Sequence, residues 1–94
     1  MNYLEIISLI ENFLKNNKIK FKEISYLNSG KEKLFNLGNE NFKVKILVQS
    51  IITKIELFNV KTKSSLVVLY TRNDYINNKD LHLYLIDILN FIGI

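Results

Sequence analysis

An α+β fold is expected for this chain: an antiparallel meander of four or five strands, flanked by N-terminal and C-terminal helices packed on one face of the sheet. Three observations lead there. Apolar residues recur at three- and four-residue spacing near both ends of the chain. Between those ends the spacing shortens to two, most plainly in KIKFK at 18–22 and FKVKI at 42–46. Short polar connections separate the period-two runs and the chain contains no proline, so successive strands are expected to pair antiparallel in sequence order.

The first helix is expected over residues 3–15, where Ile6, Leu9, Ile10, Phe13 and Leu14 form a stripe opposite Ser8, Glu11, Asn12 and Lys15. Asn2 followed by Glu5 supplies an N-cap and its returning carboxylate. Asn16-Asn17 is expected to stop the helix, because asparagine tolerates the left-handed conformation. Strands follow at 19–27 and 33–37, joined by turn chemistry in NSGK at 28–31. The loop GNEN at 38–41 leads into a strand at 42–48, and further strands are expected at 51–58 and 65–71. No Gly or Pro marks a turn near Gln49-Ser50, so residues 42–61 read either as two strands or as one long bulged strand. The second helix is expected over 78–92, with Asn77 as cap, Asp80 as its N3 carboxylate and Gly93 after its end.

Ninety-four residues make one domain, 1–94, able to bury roughly 60–65% of the surface of its unfolded chain. The absence of cysteine excludes disulfides and thiolate metal sites and fits a reducing compartment. Residues 1–14 lack a basic leader and carry Glu5 and Glu11, and no apolar run reaches the roughly 20 residues of a membrane span. A cytoplasmic protein without membrane attachment is therefore expected. The net charge of +4 is unevenly placed: −2 over residues 1–14, +7 over 15–63 and −1 over 64–94. Heavy use of Asn, Lys and Ile is what AT-rich coding produces, which lowers the weight of each lysine.

The residues give little support to catalysis. His82 is the sole histidine and falls at the border of a polar helical stripe, a surface position. Asp80 lies two residues away, about 200° around the helix, so the pair cannot chelate one metal. Ser64, Ser65, Thr62 and Thr71 read as strand and turn hydroxyls with no base beside them. Glu23, Glu32 and Glu56 are strand acids, yet none begins the E-x-K of sheet-based nucleases. NSGKE at 28–32 lacks the first glycine and the Ser/Thr of a phosphate loop. No enzyme, cofactor or metal is expected.

Strand parity says where a partner would sit. Burying Phe42, Val44, Ile46 and Val48 turns Lys43, Lys45, Leu47 and Gln49 outward. Burying Ile51, Ile55 and Leu57 turns out Ile52, Lys54, Glu56 and Phe58; burying Ile19 and Phe21, with Leu27 as a further candidate, turns out Lys20, Lys22, Ile24 and Tyr26. The run LVVLY at 66–70 is apolar on both parities, so part of it must also face away from the helices. The open face therefore mixes the basic candidates Lys20, Lys22, Lys43, Lys45 and Lys54 with the apolar candidates Leu47, Ile52 and Phe58. Leu83 and Ile86 interrupt the polar stripe of the second helix and extend the set of interface candidates. The leading expectation is a small non-enzymatic protein that binds another protein with an acidic surface, of the inhibitor, immunity or phage and plasmid accessory type, or that pairs with a second copy of itself. The alternative is nucleic-acid binding by the lysine-bearing strands, weakened by a thin aromatic supply and a single arginine, Arg72.

Overall fold

The computed structural model describes residues 1–27, 31–38 and 41–92, with the side chains of residues 25–27 left aside. Most of the expected turn at 28–31, the centre of the 38–41 loop, Gly93, and the side chains of Tyr26 and Leu27 thus lie outside the described set.

Helix α1 runs Tyr3–Asn16 and starts where its cap dictates. The Glu5 N–H donates to Asn2 Oδ1 at 2.9 Å, and the Asn2 N–H donates back to Glu5 Oε1 at 3.2 Å, a complete capping box. Its end differs from expectation. The left-handed residue is Lys18, at φ 57°, while Asn17 stays at φ −95°. Asn17 acts through its side chain instead, with Nδ2 donating to the Phe13 carbonyl at 2.8 Å. The Ile19 N–H then reaches the Leu14 carbonyl and the Lys18 N–H reaches the Lys15 carbonyl, at 2.9 and 3.0 Å, which is a Schellman closure. Ile19 is buried as the apolar residue of that motif rather than as the first residue of a strand.

Five strands follow: β1 (Phe21–Leu27), β2 (Lys31–Leu37), β3 (Phe42–Val48), β4 (Ile52–Asn59) and β5 (Ser64–Arg72). They form one sheet in the order β1-β2-β3-β4-β5, each neighbour antiparallel. Residues 42–61 are two strands, turned at Gln49–Ile51 and closed by the Gln49 N–H donating to the Ile52 carbonyl at 2.9 Å. A remote residue makes this turn work without Gly or Pro: Asn73 Nδ2 donates to the Gln49 carbonyl at 2.8 Å, and Asn73 Oδ1 accepts from the buried Thr53 hydroxyl. Ile51, expected in the core, sits on this turn and is 60% exposed; Thr53 takes the core position on β4.

A 3-10 turn, Asn73–Tyr75, leads to α2 (Asn78–Ile92). Its cap is Asn77, whose Oδ1 accepts from the Asp80 N–H at 2.9 Å. Ile6, Ile7, Ile10, Phe13 and Leu14 of α1 and Leu81, Tyr84, Leu85 and Ile88 of α2 share one core with Phe35, Leu37, Val44, Ile46, Ile55 and Leu57. Those six strand residues align in register on a single face of the sheet, so both helices cover that face. The Tyr84 hydroxyl crosses the core to the carbonyls of Val67 and Ile55, at 2.8 and 3.1 Å. Burial, with a smaller contribution from the Glu56 charge, pushes this phenol above its ordinary pKa against the opposing backbone hydrogen bond from Leu57. No helix among the described residues is long and apolar enough to cross a membrane.

Candidate interaction surface

Charges occur on both faces of the sheet but are handled differently. On the helix-covered face, Lys33 of β2 reaches Glu23 of β1 at 2.8 Å and Glu11 of α1 at 3.6 Å, fastening the first helix to the sheet edge. Partial burial pushes the Glu23 carboxyl up, but the hydrogen bond and charge of Lys33 outweigh it and hold the carboxyl below its usual range. Burial likewise pushes Lys33 down, and its two carboxylates reverse this and raise it. Sequence reasoning missed this cluster, since Lys33, Glu23 and Glu11 come from three elements and no spacing relates them.

The opposite face carries no helix. Its side chains form transverse rows fixed by the strand register. One row runs Lys22, Asn36, Lys43, Phe58, Ser65; the next runs Ile24, Leu34, Lys45, Glu56, Val68. A third contains Glu32, Leu47, Lys54 and Tyr70, and Ile52 stands beside Arg72. The expected candidates Lys22, Lys43, Lys45, Lys54, Leu47, Ile52 and Phe58 therefore share one surface. Lys20 lies just before β1 at the rim, where it and Lys22 border an open depression of about 200 Å³ with Phe21, Asn36 and Gly38. In that depression the buried Asn36 Oδ1 accepts no hydrogen bond from the described residues.

Leu83 and Ile86 do not join this surface. They are exposed on α2, in the helical layer on the other side of the sheet, so the expected interface residues divide into two separate groups. Residues that sequence reasoning did not single out also line the open face: Leu34, Val68, Tyr70 and Arg72. The two-parity apolar run at 66–70 was the signal for Val68 and Tyr70, which are 49% and 65% exposed.

Local pairing sets the electrostatics. Lys45 Nζ lies 4.3 Å from the centre of the Phe58 ring, a cation–π contact across neighbouring strands. Glu56 accepts from the Ser65 hydroxyl at 2.6 Å and pairs with Lys54 at 3.7 Å. These carboxylate contacts border a shallow depression of about 130 Å³ with Glu32, Lys45, Ile46 and Leu47. Lys22, Lys43, Lys45, Lys54 and Arg72 stand against Glu32 and Glu56, five cations to two anions, so the face carries +3. His82 is exposed, its ring edge-on to Phe13 at 5.7 Å. Among the described residues no group of three His, Asp or Glu side chains converges in a way that could hold a metal ion. Comparisons with family models, with curated proteins and with solved structures each return no match.

Proposed function

We propose that this chain is a non-enzymatic protein-binding module that docks its open sheet face on a partner protein presenting acidic residues around an apolar centre. The observation that carries this reading is the face itself. Leu34, Leu47, Ile52, Phe58, Val68 and Tyr70 lie interleaved with lysines on the side of the sheet that no helix covers. Apolar surface rimmed by charge favours association, because burying it releases water while the rim selects the partner. The +3 of the face favours an acidic partner and accelerates encounter with it. A second copy docked face to face would bring +3 against +3, so charge argues for a different protein. Inhibitors, immunity proteins and phage or plasmid accessory proteins act in this way, and the present chain fits that type by its size and its surface.

Nucleic-acid binding uses the same lysines and is the competing reading. Two details favour protein. Phe58, the aromatic that stands among the lysines, already carries Lys45 over its ring, and the lone arginine, Arg72, is paired with Asp74 at 3.4 Å.

The deciding experiment compares the wild-type chain with Phe58→Asp and with a Lys22/Lys43/Lys45→Glu triple variant. Each is used to capture partners from a native lysate with and without nuclease, and each is titrated with single-stranded and duplex oligonucleotides. Docking on protein requires one nuclease-resistant partner, lost with Phe58→Asp and weakened by the triple variant. Oligonucleotide affinity that drops steeply with salt and disappears in the triple variant would establish the nucleic-acid reading instead.

A further inference from the structure

We propose that β5 is a self-association edge: two copies join by antiparallel pairing of β5 with β5 about a two-fold axis at Tyr70, making one continuous sheet from the five strands of each. This goes beyond the docking of the open face and does not depend on it.

The backbone decides the register. The Asn73 N–H donates to the Ile51 carbonyl at 2.7 Å, one step past the paired Ile52 and Arg72. Hydrogen-bonded and non-hydrogen-bonded pairs alternate along an antiparallel ladder. The backbone groups of Thr71, Leu69 and Val67 therefore point into β4, and those of Arg72, Tyr70 and Val68 point to the free side. β5 ends the sheet, and among the described residues no strand pairs with its outer side. Placing the axis at Tyr70 sets Tyr70 against its own copy and Val68 against Arg72 in both directions. All outward N–H and C=O groups of Val68, Tyr70 and Arg72 are then used. The register break between Leu57 and Phe58 makes Leu66 the extra residue of β5, so regular pairing is confined to the segment after it.

Charge and side chains favour the same partner. Residues 64–71 contain no charged residue and no proline, the devices that usually blunt an edge. The strand at the other end of the sheet, β1, carries Lys22 and the helix-side Glu23 held by Lys33. Near the β5 edge, Arg72 is paired with Asp74 and lies opposite Val68 of the second copy, so edge pairing sets no like charges directly against each other. Phe91 adds apolar surface on α2, the helix that reaches β5 through Tyr84. It lies nine residues after His82, two and a half helical turns, so it faces opposite the side of α2 that touches Phe13 of α1, and it is 53% exposed.

Sedimentation equilibrium over a concentration series tests the pairing, with far-ultraviolet circular dichroism to verify folding. Wild type is expected to shift from 11.1 kDa to twice that mass as concentration rises. Tyr70→Pro removes an N–H that β4 does not use and is expected to weaken dimerisation roughly a hundredfold, because a symmetric interface loses the contact twice. Tyr70→Lys keeps the N–H, sets like charges against each other at the axis, and is expected to remain monomeric if Tyr70→Pro fails to fold. Tyr70→Cys, the sole thiol in its chain, is expected to be joined to its copy by a short bis-maleimide cross-linker, since hydrogen-bonded antiparallel pairs lie about 5.5 Å apart at Cα. A wild-type chain monomeric up to about 1 mM overturns the proposal. So does a dimer that survives Tyr70→Lys but is lost in Phe58→Asp.

Discussion

The two faces of this sheet are built from the same five strands, yet they obey different rules. On the covered face, every apolar residue at the centre is fully enclosed, and the partly buried charges, Lys33 with Glu23 and Glu11, are tied to one another across three elements, while Lys31 stays exposed at the rim over the Tyr3 ring. On the open face, lysines outnumber carboxylates and lie against Leu47, Ile52 and Phe58 without a covering layer. Burial makes an unpaired charge costly, so the covered face holds its partly buried ions in a closed cluster. Water removes that constraint from the open face, where composition is left to solubility and recognition.

Substitutions should expose this asymmetry. The largest effect is expected from Ile55→Ala or Leu57→Ala, which open a cavity under both helices and should lower unfolding stability by about 2–5 kcal/mol in a urea titration. Equal losses from Leu47→Ala on the open face would show that the two faces contribute alike to stability. A smaller loss, about 0.5–1.5 kcal/mol, is expected for Tyr84→Phe, because the phenol bonds carbonyls already facing the sheet ladder.

The charge cluster should appear in the pH profile. Glu23 is held below its unfolded pKa, so its contribution is present above the ordinary glutamate range and is lost as pH falls through its folded pKa. Lys33 and Tyr84 are raised, so their contributions are present below the ordinary lysine and tyrosine range and are lost as pH rises past about 10. Lys33→Met should flatten the acid limb while costing under about 1 kcal/mol at neutral pH, since Glu23 is partly solvated. An unchanged acid limb in that variant would show that the cluster does not set the acid stability. The smallest effect is expected for Phe58→Asp, within about 1 kcal/mol in stability, which makes it a clean probe of docking.

Much of the architecture was legible because it is set by near neighbours. The Asn2–Glu5 and Asn77–Asp80 caps lie three residues apart, and the period-two runs separate the two faces directly. The misplacement of Ile51 has a different origin. Its turn is held by Asn73, a residue 24 positions from Gln49, and no local signal announces such a partner. The left-handed Lys18 illustrates the same limit on a smaller scale, because Asn17 was already engaged with a helix carbonyl.

Sequence alone determined that Lys22, Lys43, Lys45 and Lys54 share a face with Leu47, Ile52 and Phe58, since alternation in a strand is a property of the backbone. Only the tertiary structure decided that Lys33 closes a cluster under α1, that Asn73 holds the turn at Gln49–Ile51, and which backbone groups of β5 turn away from β4. Those features depend on how elements stack and where the ladder stops. Stacking minimises exposed apolar area over the whole chain, and no window of residues contains that sum.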